Sequence, residues 1–206
     1  MHIPDGFLDA KTLITTAALS AYVLKKDVDK AKEILNEKDA PILGVLSAFV
    51  FAAQMVNFPV MAGTSGHFLG AALLTYMMGP HLAGLAMSAV LILQCLLFQD
   101  GGLLALGANI LNMAVAAPLT AYYVLKIIDS KIPGKKTFGL VLAGWSSVVI
   151  AAIFCSFELY ASGVGKLQAI IIPMLTIHAL IGIGEGLITV AVVSFINKVR
   201  KVKIEF

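Results

Sequence analysis

GLVLAGWSSVVIAAIFCSFELY, residues 139–160, sets the class of this molecule. Glu158 is the only charged side chain among its 22 residues. As an α-helix the stretch would rise about 33 Å, enough to cross a hydrocarbon core roughly 30 Å thick. Comparable apolar runs occupy 7–24, 41–58, 67–79, 81–98, 103–125 and 168–196. The chain is 59% hydrophobic and 13% charged, with mean hydropathy +0.93. A chain in lipid must satisfy its own backbone polar groups, so these runs read as helices. The expectation is an all-α integral membrane protein: one bundle of about seven transmembrane helices over 1–206, with no room for a soluble catalytic domain. The third run is short and follows Pro59, Gly63 and Gly66, so 59–67 reads as an irregular outer segment. In the long last run, Pro173 and Gly182, Gly184 and Gly186 are the points of possible bending.

Basic residues orient the bundle. Lys25, Lys26, Lys30, Lys32 and Lys38 fill the first loop, 25–40. Lys126, Lys131, Lys135 and Lys136 fill a second, and Lys198, Arg200, Lys201 and Lys203 end the chain. With these faces cytoplasmic, 13 of 15 basic residues lie inside, and Lys11 and Lys166 lie outside. The N-terminus is then outside the cell and the C-terminus cytoplasmic. The net charge of +3 belongs to these loops and implies no nucleic acid partner. Residues 7–24 lack the basic start and small-residue cleavage site of a signal peptide. Cys95 and Cys155 fall inside apolar runs and read as packing thiols.

The same topology gathers Met1, His2, His67 and Asp100 on the outer face. Met1-His2 offers three nitrogens in a row: the α-amine, the His2 amide and the His2 imidazole. Together they close a five- and a six-membered chelate ring, which suits a flat site for Ni(II) or Cu(II). His67, after Gly63-Thr64-Ser65-Gly66, is either a fourth ligand or a helix-start histidine bonded to a neighbour. Segment 1–6 carries a stiff Pro4-Asp5-Gly6 turn, with Asp5 placed to cap the next helix. Gln99-Asp100-Gly101-Gly102, Asn109 and Asn112 form a polar cluster on the same face, which either orients ligands or bonds helices together. His81 reads as an interfacial residue, and Glu158 as an acid reaching the surface. His178 and Glu185 share a helical face and read as a buried structural pair. Gly44, Ala48 and Ala52 form a small-residue stripe for close helix contact, inside the bundle or with another subunit.

The start Met1-His2-Ile3-Pro4-Asp5-Gly6-Phe7-Leu8, with Gly66-His67, Gln99-Asp100-Gly101-Gly102-Leu103 and Leu106-Gly107-Ala108-Asn109, resembles the CbiM/NikM family. These are the substrate-capture subunits of energy-coupling-factor importers for nickel and cobalt. The resemblance implies that the transported metal, Ni²⁺ or Co²⁺, is held by nitrogens of Met1, His2 and His67, and that no further cofactor is needed. Asp5, Ser65, Gln99, Asp100, Asn109 and Asn112 are then candidates for holding the ligands in place. Pro4-Asp5 is closer to the nickel branch than to the cobalt branch, where Met-Glu is commoner. It further implies a transmembrane coupling subunit met through Gly44, Ala48 and Ala52, separate ATPase subunits, and a small accessory membrane subunit as a further candidate partner. The chain itself has no phosphate-binding Gly-x-x-x-x-Gly-Lys-Ser/Thr loop.

Two alternatives fit the residues less well. One is a stand-alone metal channel. The other is an intramembrane hydrolase using Ser65 as nucleophile and His67 or His178 as base. A retinal protein is excluded by the lack of a lysine within 168–196.

Overall fold

In a computed structural model, which describes residues 1–60 and 63–204 with side chains through Val199, Asp9 opens the first helix. Its carboxylate accepts the Thr12 amide at 2.9 Å, and α1 spans Ala10–Ile34. The chain does not leave the helix at Lys25. Residues 25–34 prolong it, because Lys, Ala and Glu favour helix. Lys30–Glu33 (2.6 Å) and Lys32–Asp29 (3.1 Å) pair one turn apart on its exposed side. The expected loop 25–40 is therefore mostly helix. A short connection leads to α2, Ala40–Gln54, with Pro41 in its first turn.

The segment expected to be irregular contains a minimal hairpin. β1 (Phe58–Pro59) pairs antiparallel with β2 (Ser65–Gly66), in register Phe58↔Gly66 and Pro59↔Ser65. Positions 61–62 of that segment, and the side chains of Arg200, Lys201 and Lys203, lie outside the described residues.

α3 is assigned as one helix, Ala71–Phe98, but its chain reverses. Gly79 has φ 80° and ψ 167°, and Pro80 follows. The Gln54 amide donates both to the Leu69 carbonyl (2.6 Å) and to Met87 Sδ (3.2 Å). A straight helix would hold positions 69 and 87 about 27 Å apart. Both limbs therefore pass Gln54 at one depth, and the turn falls where the sequence placed a boundary. Next come α4 (Leu106–Ile110), a π-helical segment (Leu111–Ala116) and α5 (Ala117–Lys131), which run on as one rod. α6 (Lys136–Ala161) and α7 (Leu167–Ile204) complete the chain.

Among the described residues, four helical stretches are long and apolar enough to cross a membrane: α3, which reverses at Gly79, Leu106–Lys131, α6 and Leu167–Val199 of α7. α2 is apolar but only 15 residues long. Seven crossings require α1 and α2 to count as spans and α3 to count as two. The Cys95 and Cys155 thiols are both free and buried.

The basic end of α1 and the basic start of α6 meet at the Gly79 end. Asp27 of α1 meets His81 at 2.7 Å, and Lys136 Nζ lies 5.3 Å from the Tyr76 ring centre. Met1, His2 and His67 lie at the other end.

α6 and α7 pack most closely through glycines. A Cβ on Gly186 would lie 2.8 Å from the Val141 carbonyl oxygen, and one on Gly144 would lie 2.8 Å from Gly186 Cα. Such backbone contact leaves no room for a side chain. Gly186→Leu is expected to lower the apparent melting temperature by about 5 °C or more in a thermal-shift assay. Gly184→Leu, where a Cβ meets nothing within 4 Å, is expected to change it by under about 2 °C.

Candidate metal centre

Residues 1–6 fold back into the bundle and bury the start of the chain. Met1 is fully buried, and His2 and His67 are 3% and 2% exposed. Asn109 holds this segment by both backbone groups of Ile3. Its Oδ1 accepts the Ile3 amide at 2.8 Å, and its Nδ2 donates to the Ile3 carbonyl at 3.1 Å. The Gly102 amide donates to the same carbonyl at 2.9 Å. Asp5 does not cap α1; Asp9 does. Asp5 instead accepts the amides of Leu103 (3.0 Å), Leu104 (2.8 Å) and Ala105 (3.1 Å), ahead of α4. Gly101 and Gly102 make the fit possible. A Cβ on Gly102 would overlap Asp5, and one on Gly101 would crowd His2 and Asn109.

The nitrogens then converge. Ser65 Oγ lies 3.2 Å from the Met1 amine, 3.2 Å from the His2 amide nitrogen and 3.1 Å from His2 Nδ1. The amine also donates to the Ser65 carbonyl. His67 Nε2 is 3.2 Å from the amine, and the two imidazole rings are 4.7 Å apart. A nitrogen square drawn about 2 Å from a metal has edges near 2.8 Å. The amine–His67 edge is thus within a few tenths of an ångström of ligating distance.

The hydrogen bonds also fix which ring nitrogens carry lone pairs. His67 Nδ1 donates to the Phe68 carbonyl at 2.7 Å, which leaves Nε2 unprotonated and facing the amine. His2 Nε2 donates to Gln94 Oε1 at 3.1 Å, which leaves Nδ1 unprotonated. Burial pushes the Met1 amine down to about 5 and the His2 imidazole down to about 3, so both are neutral at neutral pH. Asp100 Oδ1 sits 3.3 Å from His2 Nδ1, and Asp100 Oδ2 accepts from Asn57 at 2.8 Å. Burial raises the Asp100 carboxyl, and the amine and Asn57 partly offset that. A carboxylate beside a ring lone pair is a repulsive pairing that a proton or a metal cation relieves. Among the described residues, no three His, Cys, Asp or Glu side chains group to hold a metal. The nitrogens that do converge here include the amine and a backbone amide.

The other expected residues fall as follows. Ser65 and Asp100 touch His2, and Asn109 and Asp5 hold the segment that carries it. Gln99 only ends α3, with φ 55°. Asn112 is turned away and donates to Glu158 at 2.7 Å. The π-helical segment breaks the i, i+3 register that had placed Asn112 beside Asn109. Glu158 is buried against it and does not reach the surface. His178 and Glu185 do not pair: His178 Nδ1 donates to the Met174 carbonyl at 2.8 Å. Glu185 accepts the amides of Leu69 and Gly70, both at 2.7 Å, and so pins the turn just after His67. Gln94 escaped the sequence reading, although an amide inside the apolar run LILQCLLF is itself a signal. Ser65 Oγ faces the Met1 amine, the His2 amide and His2 Nδ1. The hydrogen bonds of the two histidines expected as bases run elsewhere: His67 to Phe68 and the Met1 amine, His178 to Met174.

Long apolar helices packed in one bundle define a multi-pass membrane protein. The family model described as "Cobalt uptake substrate-specific transmembrane region" matches residues 2–202, and the chain belongs to this CbiM family. It is 40% identical over 207 residues to a putative fused nickel transport protein NikMN of Archaeoglobus fulgidus, covering all of this chain and 68% of that protein. It is 29% identical over 210 residues to the cobalt transport protein CbiM of Acetoanaerobium sticklandii, covering 98% and 86% of the two chains. A crystal structure of a transition metal transporter superposes with TM-score 0.92 at 33% identity, over 98% of this chain and 94% of that one.

The pair of hydrogen bonds to Ile3 makes Asn109 the anchor that sits nearest the first two residues. Asn109→Ala is expected to weaken Ni²⁺ binding by about 10- to 100-fold in a calorimetric titration. Unchanged affinity would assign the placement of the segment to Gly102 and Asp5 alone.

Proposed function

We propose that this chain captures a divalent transition metal from outside the cell, nickel first and cobalt next. It does so as the substrate-specific membrane subunit of an ATP-driven energy-coupling-factor importer. The observation that carries the reading is the meeting of the Met1 amine with His67 Nε2 at 3.2 Å, beside the His2 amide and Nδ1. The metal is cargo, held by four nitrogens: the Met1 amine, the His2 amide, His2 Nδ1 and His67 Nε2. An all-nitrogen set disfavours Mg²⁺ and Ca²⁺, which take oxygen ligands. A flat set disfavours Zn²⁺, which prefers a tetrahedron. Copper would bind at least as well by intrinsic affinity, so its exclusion rests on availability or on the transport step. The nickel order is supported by Pro4-Asp5 and by the higher identity to the nickel-named relative.

In this reading there are seven crossings, with the N-terminus outside and the basic Gly79 end cytoplasmic. The segregation of the basic clusters from the nitrogen cluster supports that orientation. Gly44, Ala48 and Ala52 are exposed along α2 and are the proposed contact with the transmembrane coupling subunit. Gly44 and Ala48 also line an apolar groove against α3 with Phe51, Leu93 and Leu97. ATPase subunits supply the energy. A stand-alone channel would instead pass metal in proteoliposomes without them.

One residue added before Met1 is expected to abolish tight Ni²⁺ binding, and so is His2→Ala. Calorimetry that finds unchanged affinity in both sinks the terminal-chelate reading. Tighter binding of Co²⁺ than Ni²⁺ reverses the substrate order. Amide ligation releases a proton, so affinity should fall on acidification, by about tenfold per pH unit for one proton. A flat profile between about pH 7.5 and 5.5 argues against the amide as ligand.

A further inference from the structure

A second cavity, of about 340 Å³, lies at the opposite end of the bundle. It opens between the descending limb of α3, the end of α5 and the start of α6. Lys126 stands 17 residues beyond Asn109, about 25 Å along the helix from the metal centre. The cavity has two kinds of wall. Leu125, Ile128, Ile132 and Gly139 form an apolar wall, and Lys126, Lys135 and Lys136 ring the mouth with Tyr76 and Tyr122. Asp129 is the one acid in the lining, so three cations face one anion. Lys126 Nζ lies 5.8 Å from the Tyr122 ring centre and Lys136 Nζ 5.3 Å from that of Tyr76, so the aromatic rings help place both ammonium groups. Exposed apolar side chains continue outward from the mouth: Ile132 is 42% and Phe138 51% exposed.

We infer that this cavity binds the headgroup of an anionic phospholipid. The phosphodiester would sit among the three lysines and the tyrosine hydroxyls, and the glycerol on the apolar wall. The acyl chains would leave along Ile132 and Phe138. A phosphodiester is the common chemistry of lipid headgroups and soluble phosphates, but only a lipid uses the apolar wall and the greasy exit together. The volume is near the lower end of small-molecule sites, roughly 300–1,000 Å³. Basic pockets between helices at the cytoplasmic surface are where anionic headgroups are recognised. The site is separate from the metal centre and stands whether or not that centre binds nickel.

Native mass spectrometry of the whole protein, given equal phosphatidylglycerol and phosphatidylcholine, tests the assignment. The expected result is about tenfold or greater preference for phosphatidylglycerol, collapsing to near parity in the K126Q/K135Q/K136Q variant. The three lysines are exposed, and the variant should keep wild-type Ni²⁺ binding or, if that binding proves absent, the wild-type melting temperature. Y76F/Y122F is expected to reduce the preference by about threefold. Equal retention of the two lipids by the wild type overturns the inference, and so does a preference that survives in the triple lysine variant. Displacement of phosphatidylglycerol by millimolar inorganic phosphate overturns the lipid assignment in favour of a soluble anion.

Discussion

Asn109 pairs with Ile3 as one strand pairs with another, accepting its amide and donating to its carbonyl. With Gly102 and Asp5, that bond pair sets where the chain start lies in the nitrogen cluster. It places the first two residues within reach of Ser65, Gln94 and His67. It also explains the two glycines at 101–102, since the segment lies where side chains there would stand. Asp5 adds a second anchor on the amides ahead of α4. A peptide terminus is normally the least ordered part of a chain. Here six hydrogen bonds from Ile3 and Asp5 to residues 102–109 keep it buried.

Burial then decides the chemistry. A solvated amine would be protonated at neutral pH and of no use as a ligand. Desolvation drops the Met1 amine to about 5 and makes its lone pair available. The neighbouring hydrogen bonds do the same for the rings: Phe68 and Gln94 accept from His67 Nδ1 and His2 Nε2, which leaves the other ring nitrogen of each with its lone pair. Glu185 completes the arrangement from α7, by holding the backbone two and three residues beyond His67. The site is thus assembled from the chain start, the hairpin, α3, the turn before α4 and α7. No single element carries it.

Much of this was legible in the residues, for identifiable reasons. Apolar runs and lysine clusters depend only on composition along the chain, so the helical bundle and the segregation of its charged end could be read directly. The three consecutive nitrogens of Met1-His2 are a local pattern and need no tertiary knowledge. What escaped was set by long-range pairing. Asp5 looked like the cap of the next helix, but its partners lie about 100 positions away. Asn112 looked like a companion of Asn109 until the π-helical segment changed its direction. Glu185 looked like the partner of His178, because both lie on one face of α7. Backbone amides from another element, which no side-chain pattern reveals, claim it instead. Gln94 and Gln99 are both plausible amides near one turn, and only the packing of α3 separates them.

The anchoring of Ile3 by Asn109 also has a consequence in time. The two residues are 106 positions apart, and chains grow at roughly 5–20 residues per second. The first residues to be made must therefore wait about 5–20 s before their partner exists. The centre closes late, as a seal set after the helices that surround it have been synthesised.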